Sequence, residues 1–262
     1  MVGVVMPLSP RTLRPANTFT PRSISGLALW LDATKTASVL NSISPDAAAT
    51  NGQTVRRWMD QSGLARHANQ ASGTSQPTYM LPTALDFDGT NDTLEIAKDI
   101  SRNKGYVGIF VVFTADVVTS STRWLVAMTT ALGNVRTGVS IGTTGQVNLT
   151  ARRLDGGSVT TVSGSSLSAA TKYVISVQAN YTGRLGSIRV NGSVVGSDSA
   201  FLDGGNTSDT DSYFADIGSL AGGQAFDGKM SEVLIYNGTA LSASQVSSVE
   251  RWLGTKHSVV VA

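Results

Sequence analysis

The sequence predicts an all-β protein in which two antiparallel sheets form a jelly-roll sandwich, with a short C-terminal helix and an extended N-terminal arm. Runs rich in β-branched and aromatic residues recur along the chain, and Gly, Asn, Asp and Ser separate them. Strands do not alternate with helices, which argues against a parallel sheet. We therefore expect the chain of 262 residues to consist of the arm followed by one large domain.

Several segments give clear strand signals. Within the segment 172–182, Ile175, Val177 and Ala179 are each followed by a polar residue, which is the period of a half-buried strand. Asn191 and Gly192 both tolerate positive φ and predict a two-residue hairpin turn. The clearest strand segments are 105–116, 122–130, 137–153, 172–182 and 187–197.

The sequence pattern of the C-terminal region predicts a helix. Ser242 followed by Gln245 forms a capping-box pattern, and Gly254 is a natural stop. We expect this helix to pack on the sandwich through apolar residues at helical spacing, namely Val246, Val249, Trp252 and Leu253. A weaker pattern predicts a helical turn at 54–60.

Residues 1–25 are predicted to form an extended arm, and residues 26–262 the jelly-roll domain. Repeated prolines exclude helix and central strand from the arm, and its charges are all basic. A frayed terminus is the alternative. We expect the arm to contact a neighbouring subunit through the assembly-interface residues Arg11, Arg14, Phe19 and Arg22.

Composition excludes several classes of protein. The net charge of +2 is dispersed and forms no basic stripe, so no nucleic-acid partner is expected. Cysteine is absent, which removes thiolate nucleophiles, cysteine zinc sites and disulfides. No stretch approaches the roughly 20 apolar residues of a membrane span, and the first residues lack a signal-peptide pattern. We expect a soluble chain made in a cytoplasm, with no cofactor and no membrane partner.

Several motifs resemble a known superfamily. The chain contains WLDAT, WMDQSG, LDFDGTNDTLEI and FDGKMSEVLIYNGTALSASQV, which together are similar to the opening, middle and closing strands of concanavalin A-like lectins and glucanases. The laminin-G-like branch, common in bacterial and phage proteins, matches best. The resemblance covers roughly residues 25–257 and implies a two-sheet jelly roll without fixing a function.

The sequence does not show the carboxylate motif of the superfamily's glucanases. Those enzymes place Glu, Asp and Glu at alternate positions of one strand, whereas Glu95, Glu232 and Glu250 are far apart in this chain. Hydrolysis by a Ser-His-acid group lacks its G-x-S-x-G motif. We therefore expect no enzymatic activity, and expect Glu232 to be held by basic or backbone partners. His67 and His257 are predicted to be solvated.

Calcium and sugar sites are open alternatives. Asp, Asn and Gly dominate ordinary turns, so turn chemistry competes with calcium binding at two acidic clusters. The aromatic residues that could form a platform for a sugar are equally well explained by packing in the core. Core packing is also expected of Trp30 and Trp58. The clusters are Asp86, Asp88, Asn91 and Asp92, and Asp203, Asn206, Asp209 and Asp211; the platform candidates are Trp124, Tyr181 and Tyr213.

The missing catalytic motif, the basic arm and the resemblance favour one function. We expect a non-enzymatic structural protein on a phage virion surface, as a capsid decoration or tail accessory protein synthesised in the bacterial cytoplasm. Its partners would be capsid or tail proteins and further copies of itself. The alternative is a carbohydrate-binding module that holds surface glycans, and a glycoside hydrolase is less favoured.

Overall fold

The structure is a computed structural model that describes residues 19–97, 100–130, 134–209 and 214–262. The described residues form strands β1 to β18, one helix, α1, and three short 3-10 turns. Helix α1 spans Ala243–His257. The strands are β1 Leu27–Asp32, β2 Val39–Ile43, β3 Asp46–Ala48, β4 Arg57–Trp58, β5 Ala68–Asn69, β6 Thr78–Met80, β7 Ala84–Asp88, β8 Leu94–Ile96, β9 Tyr106–Ala115, β10 Arg123–Thr129, β11 Val135–Ile141, β12 Gln146–Ala151, β13 Thr160–Ser166, β14 Lys172–Asn180, β15 Leu185–Val190, β16 Ser193–Asp198, β17 Ala215–Ile217 and β18 Asp227–Asn237.

Two antiparallel sheets make up the sandwich, as the sequence predicts. Sheet A has the order β16-β15-β14-β9-β18-β7-β6, and β1 pairs with β18 outside this path. Sheet B has the order β13-β12-β11-β10-β17-β8-β5-β4-β2-β3. Neighbours far apart in sequence, such as β9 and β18, pair at the centre of sheet A. Connections of the chain therefore cross between the two packed sheets, as they do in a jelly roll.

Strand β9 shows how the sequence places the core. Its residues Val107 and Ile109 face the sandwich interior, whereas Phe110 and Val112 belong to a second cluster on the outer face of sheet A. A strand covered on both faces reads as a continuous apolar run, which is what residues 106–113 show. Sheet A is therefore buried on two sides at its centre.

The predicted strands are confirmed, and one predicted segment divides in two. Residues 137–153 form the hairpin of β11 and β12, because a turn at residues 142–145 separates them. The predicted Asn191-Gly192 turn joins β15 to β16 with φ values of 47° and 85°. Both values lie in the left-handed region that this hairpin turn requires.

The helical turn predicted at 54–60 is wrong. Residues Arg57 and Trp58 form strand β4 between β2 and β5. Trp58 is fully buried in the core, and Arg57 lies on the opposite face of sheet B. Burial of Trp58 in the sandwich therefore overrides the local helical pattern.

Helix α1 begins as predicted but extends past its predicted stop. Ser242 Oγ accepts from the Gln245 backbone N–H, and the Gln245 side chain accepts from the Ser242 N–H. The helix continues through Gly254 to His257, and Ser258 adopts the left-handed conformation. A Cβ at Gly254 would lie 2.5 Å from the Val261 side chain, so this glycine permits the C-terminal tail to cross the helix.

A buried network joins the end of α1 to sheet A. The Glu232 carboxylate accepts from Trp30 Nε1 at 2.7 Å and from Lys256 Nζ at 2.7 Å, and it contacts His257 Nε2 at 2.5 Å. Lys256 Nζ also lies 2.7 Å from the Asp32 carboxylate. Glu232 thus has the basic partners that we expected. The prediction of a solvated His257 is wrong, because its ring is buried against Glu232.

A second ion pair fixes the middle of α1. Glu250 is 1% exposed, accepts from Ser176 Oγ at 2.6 Å and pairs with Arg189 Nε at 2.9 Å. These contacts tie the helix to β14 and β15. Together with the Glu232 network, they hold α1 across the outer face of sheet A, where Val249 and Leu253 complete the apolar cluster.

Glu232→Gln is expected to lower the free energy of unfolding by about 3 kcal/mol, because it removes one partner of a buried, hydrogen-bonded charge group. Urea denaturation at pH 7 followed by tryptophan fluorescence measures this loss. Glu95→Gln is the matched control and is expected to change stability by less than about 1 kcal/mol, since Glu95 is half-exposed. Equal losses in the two variants would contradict the structural role of Glu232.

Candidate functional site

The two outer faces of the sandwich differ in what covers them. Helix α1 and the cluster around Trp30, Phe110 and Leu234 close the outer face of sheet A. Among the described residues, the principal strand contacts of α1 are with β9 and β14 of sheet A. The outer face of sheet B lies on the other side of the sandwich from α1, and we call it the open face. Leu220 packs over its centre, at Trp124 and Ala127.

A continuous row of residues crosses the open face from strand to strand. Glu95 is flanked by the core residues Leu94 and Ile96, and Asp216 by Ala215 and Ile217, so both carboxylates point away from the core. Each member of the row is the register partner of the next. The row consists of Arg57, Asn69, Glu95, Asp216, Ala127, Gly138, Thr150 and Thr161.

The row brings two carboxylates side by side. Glu95 and Asp216 are direct cross-strand partners on β8 and β17, where side chains of an antiparallel pair lie roughly 5 Å apart at Cβ. Asp216 is 2% exposed, and its Oδ2 accepts from the Ala221 N–H at 2.8 Å. Burial and then the charge of Glu95 raise the pKa of Asp216 to about 6, although the Ala221 hydrogen bond lowers it.

Glu95 has free hydrogen-bonding capacity. It is half-exposed, and within the described residues its carboxylate makes no hydrogen bond or ion pair. Arg57 is also half-exposed; its Nε donates to Asn69 Oδ1 at 2.7 Å, which leaves its terminal N–H groups available. Two strand spacings place Arg57 and Glu95 roughly 10 Å apart. The part of the row from Arg57 to Glu95 thus offers donors and acceptors to solvent, whereas Asp216 beside it is buried.

A loop at residues 218–225 borders this part of the open face. Trp124 Nε1 donates to Gln224 Oε1 at 2.8 Å. Leu220 packs against the small apolar cluster of Trp124, Ala127 and Val135. The ring lies directly over Gly138, where a Cβ would be 2.6 Å away. Trp124 is only 5% exposed and is no sugar platform. Tyr181 is fully buried in the core, and Tyr213 lies outside the described residues.

The first acidic cluster is a turn. Asp88 Oδ1 accepts from the backbone N–H groups of Thr90 and Asn91, and Asp92 Oδ2 accepts from the Asp88 N–H. Asp86 pairs with Lys229 at 3.3 Å. Burial raises the pKa of Asp92 to about 6. The carboxylates at this turn are occupied by backbone and lysine partners, as turn chemistry predicts.

The second acidic cluster is only partly described, since Asp211 lies outside the described residues. Asp209 pairs with Arg102 at 2.9 Å, and Asn206 Nδ2 donates to Asn103 Oδ1 at 2.9 Å. Among the described residues, no three His, Cys, Asp or Glu side chains group together as metal ligands. No helix in the same part of the chain is long and apolar enough to cross a membrane.

Two of the four arm residues are described, and both contact their own domain. The Phe19 ring packs edge-on against Trp252 with centroids 6.4 Å apart. Arg22 Nε donates to the Gln61 carbonyl at 2.9 Å, and its guanidinium lies 5.9 Å from the Trp30 ring centroid. Arg11 and Arg14 lie outside the described residues. His67 is half-exposed, and its Nδ1 accepts from the Asp60 N–H at 3.0 Å.

Comparison with solved structures identifies sandwich proteins of similar fold. The Trypanosoma rangeli sialidase matches 89% of this chain with a TM-score of 0.60 and 16% identity. The CBM40 of the Ruminococcus gnavus IT-sialidase matches 64% of this chain and 96% of its own length, with a TM-score of 0.52 and 14% identity. A heptameric SAP-like pentraxin from Limulus polyphemus matches 64% of this chain and 81% of its own, with a TM-score of 0.51 and 17% identity.

These matches show the fold. They agree with the resemblance to concanavalin A-like lectins, and none of these three proteins is a phage protein. This chain spans 33% of the length of the sialidase. No protein-family model and no curated protein matches the sequence.

The prediction that this chain is not an enzyme is contradicted by the comparison. An enzyme, the T. rangeli sialidase, contains a region of the same fold over most of this chain. The prediction also rested on paired acids along a single strand, which is too narrow a criterion. Glu95 and Asp216 are distant in sequence, and only the pairing of β8 with β17 brings them together.

Asp216→Asn is expected to stabilise the protein at pH 7 by on the order of 2 kcal/mol. The raised pKa of Asp216 means that the folded state disfavours its ionised form, so wild-type stability falls as the pH rises from about 4 to about 6. Asparagine stays neutral and can still accept from Ala221. Urea denaturation of both proteins between pH 3.5 and 8 measures the difference.

The stability gain of Asp216→Asn should vanish below about pH 4, where Asp216 is protonated in both folded and unfolded states. Asp46→Asn, at an exposed position of β3, is the control and should show no such pH-dependent gain. A destabilised Asp216→Asn protein at pH 7 would mean that the fold satisfies the charge of Asp216, which contradicts the raised pKa.

Proposed function

We propose that this chain is a lectin-like module that binds a neutral, hydroxyl-rich glycan on the open face of sheet B. The observation that carries this proposal is the half-exposed, unpaired Glu95 carboxylate within the described residues, in one row with Asp216, Asn69 and Arg57. A row of this kind presents acceptors and donors along one line of the sheet.

Sugar hydroxyls match this set of groups. Each hydroxyl both donates and accepts, so it pairs with a carboxylate through its proton and with a guanidinium through its oxygen. Hydrogen bonds to charged partners are roughly twice as strong as neutral ones. Glu95 supplies the acceptor and Arg57 the donor, and Asn69 holds the Arg57 side chain in place at 2.7 Å.

The charge of the row favours a neutral glycan over an acidic one. Glu95 and Asp216 are adjacent, and the single cation of the row, Arg57, lies two strands from Glu95. An anionic sugar beside Glu95 would meet a like charge, which costs about 1 kcal/mol at 4 Å in water and more near a protein surface. The expected ligand therefore differs from the α2,3 sialyllactose held by the similar CBM40.

The similar structures support the proposal without deciding it. One is a CBM40, and another is a pentraxin. Jelly-roll sandwiches serve several functions, so the function must be argued from the residues of the open face. Sheet A leaves less room for a large ligand, because α1 covers its centre.

Binding is tested with an array of neutral oligosaccharides and their sialylated counterparts, followed by calorimetry with the strongest ligand. We expect the neutral members to bind. Glu95→Ala and Arg57→Ala should each weaken binding by about tenfold or more, because each removes a charge-assisted hydrogen bond. Arg251→Ala is the matched control and should leave binding unchanged, since Arg251 is exposed on α1, on the far side of the sandwich.

Two results would overturn this proposal. One is binding that survives both substitutions on the open face. The other is binding by the sialylated oligosaccharides alone, which would place the recognising charge somewhere other than the row containing Glu95.

The role of the arm and the location of the protein are further proposals. We infer that residues 1–18 attach the domain to a neighbouring subunit, as a homo-oligomer or on capsid or tail proteins at a virion surface. The support is the basic, proline-rich composition of the arm. Residues 19–25 are better assigned to the sandwich, because Ile24 is buried and the Pro21 carbonyl accepts from Tyr236 Oη at 2.9 Å.

Deleting residues 1–18 is expected to leave stability unchanged within about 0.5 kcal/mol while reducing the mass of the assembly in solution. Light scattering after size-exclusion chromatography measures the mass, and urea denaturation measures stability. A second deletion, of residues 1–25, should destabilise the domain because it removes Pro21 and Ile24. Identical masses with and without residues 1–18 would contradict the self-association proposed for the arm.

A further inference from the structure

A cavity of about 190 Å³ lies on sheet A beside the N-terminal turn of α1. Its aliphatic lining comes from the edge strands and the helix, through Leu185, Val194, Leu241 and Val246. Leu185 and Val194 are 41% and 59% exposed. Exposed aliphatic side chains grouped at one opening mark a binding site more often than isolated ones do. The cavity lies on the opposite side of the sandwich from the open face.

The polar groups at this cavity have a fixed orientation. Tyr106 is 2% exposed, and its hydroxyl donates to Gln178 Oε1. Burial raises the pKa of Tyr106, whereas the Leu241 backbone lowers it. The Tyr106 proton is therefore directed at Gln178, and the amide oxygen of Gln178 faces Tyr106.

The amide nitrogen of Gln178 is left without a partner. Gln178 lines the cavity and is 8% exposed, and its Nε2 is buried with no hydrogen-bond acceptor among the described residues. An orphaned buried donor costs roughly 1 to 3 kcal/mol, and the large majority of buried polar groups avoid this cost. Within the described residues this donor is bonded to no acceptor, which leaves it available to a ligand that enters the cavity.

The Ser187 hydroxyl, which can accept from the N–H group of a ligand, lies next to the Gln178 amide. Ser187 is the register partner of Gln178 on β15, so the two side chains share one face of sheet A about 5 Å apart. Ser187 is half-exposed and lines the same cavity, and its hydroxyl makes no hydrogen bond within the described residues. Gln178 and Ser187 together offer a donor and an acceptor side by side.

No unpaired charged group is found among the described residues that line the cavity. Arg189 is the charged member of the lining, and its guanidinium is bound by the Glu250 carboxylate at 2.9 and 3.1 Å and by the Gly192 carbonyl. Glu250 is itself buried on the helix side. A charged ligand would gain no unpaired partner among these described residues, so the cavity favours a neutral group.

We propose that this cavity binds a neutral N-acetyl group, whose carbonyl accepts from Gln178 Nε2, whose N–H donates to Ser187 Oγ and whose methyl packs on the aliphatic lining. The size agrees, since an apolar cavity of about 150 Å³ holds a benzene molecule. The acetyl group could belong to an amino sugar or to an acylated peptide, and both carry the same amide.

The test is titration of the full chain with N-acetylglucosamine, and separately with N-acetylalanine methylamide, followed by ¹H–¹⁵N NMR of side-chain and backbone amides. We expect saturable shifts of the Gln178 side-chain amide and of Leu241. Glucose, which lacks the acetamido group, should cause none. The probe that saturates at the lower concentration identifies the source of the acetyl group. Failure of both probes to shift these signals at tens of millimolar, or equal shifts with glucose, would overturn the proposal.

Two substitutions locate the site. Gln178→Met keeps the side-chain length and removes the donor, so it should weaken binding about tenfold or more. It also removes the acceptor of the buried Tyr106 hydroxyl, so some loss of stability is expected. Val194→Lys changes an exposed residue at the opening and should block entry without unfolding the domain. If both variants bind the acetylated probe as wild type does, the cavity is not its site. If Gln178→Met fails to fold, Val194→Lys decides the question.

Discussion

The Glu232 carboxylate is the constraint on which the arrangement of this sandwich depends. It lies fully buried on the central strand β18 and receives hydrogen bonds from Trp30 on β1 and Lys256 on α1, with His257 alongside. A buried charge of this kind is stable only with its partners in place. The end of α1 is therefore fixed over sheet A, and the apolar outer face of that sheet is covered by the chain itself.

Because α1 covers the centre of sheet A, we propose that a glycan is recognised on the open face of sheet B. The open face of sheet B holds the buried carboxylate of Asp216 beside the half-exposed Glu95, an arrangement that raises the pKa of Asp216 through burial and like charge. Apart from the bond that Asp216 accepts from the Ala221 N–H, the two carboxylates make no hydrogen bond or ion pair within the described part of the fold. Groups of this kind concentrate at functional sites, which is why the proposed glycan site is on this face.

The sequence predicts the fold more fully than the site, for a physical reason. Alternating apolar residues, the Asn191-Gly192 turn and the Ser242 capping box act locally, and each appears as predicted. Burial of Trp58 overrides the local pattern at 54–60, and contacts from distant strands bury His257. The Glu95–Asp216 pair depends on strand order in sheet B, which no spacing along the chain specifies.

The location of a bound glycan tests the central claim most directly. A crystal structure of the chain soaked with the strongest neutral oligosaccharide from the array would give that location. We expect sugar density on sheet B, with hydroxyl groups within hydrogen-bonding distance of the Glu95 carboxylate and the Arg57 guanidinium. The absence of sugar from sheet B, with sugar bound solely on the side covered by α1, would contradict recognition by the open face.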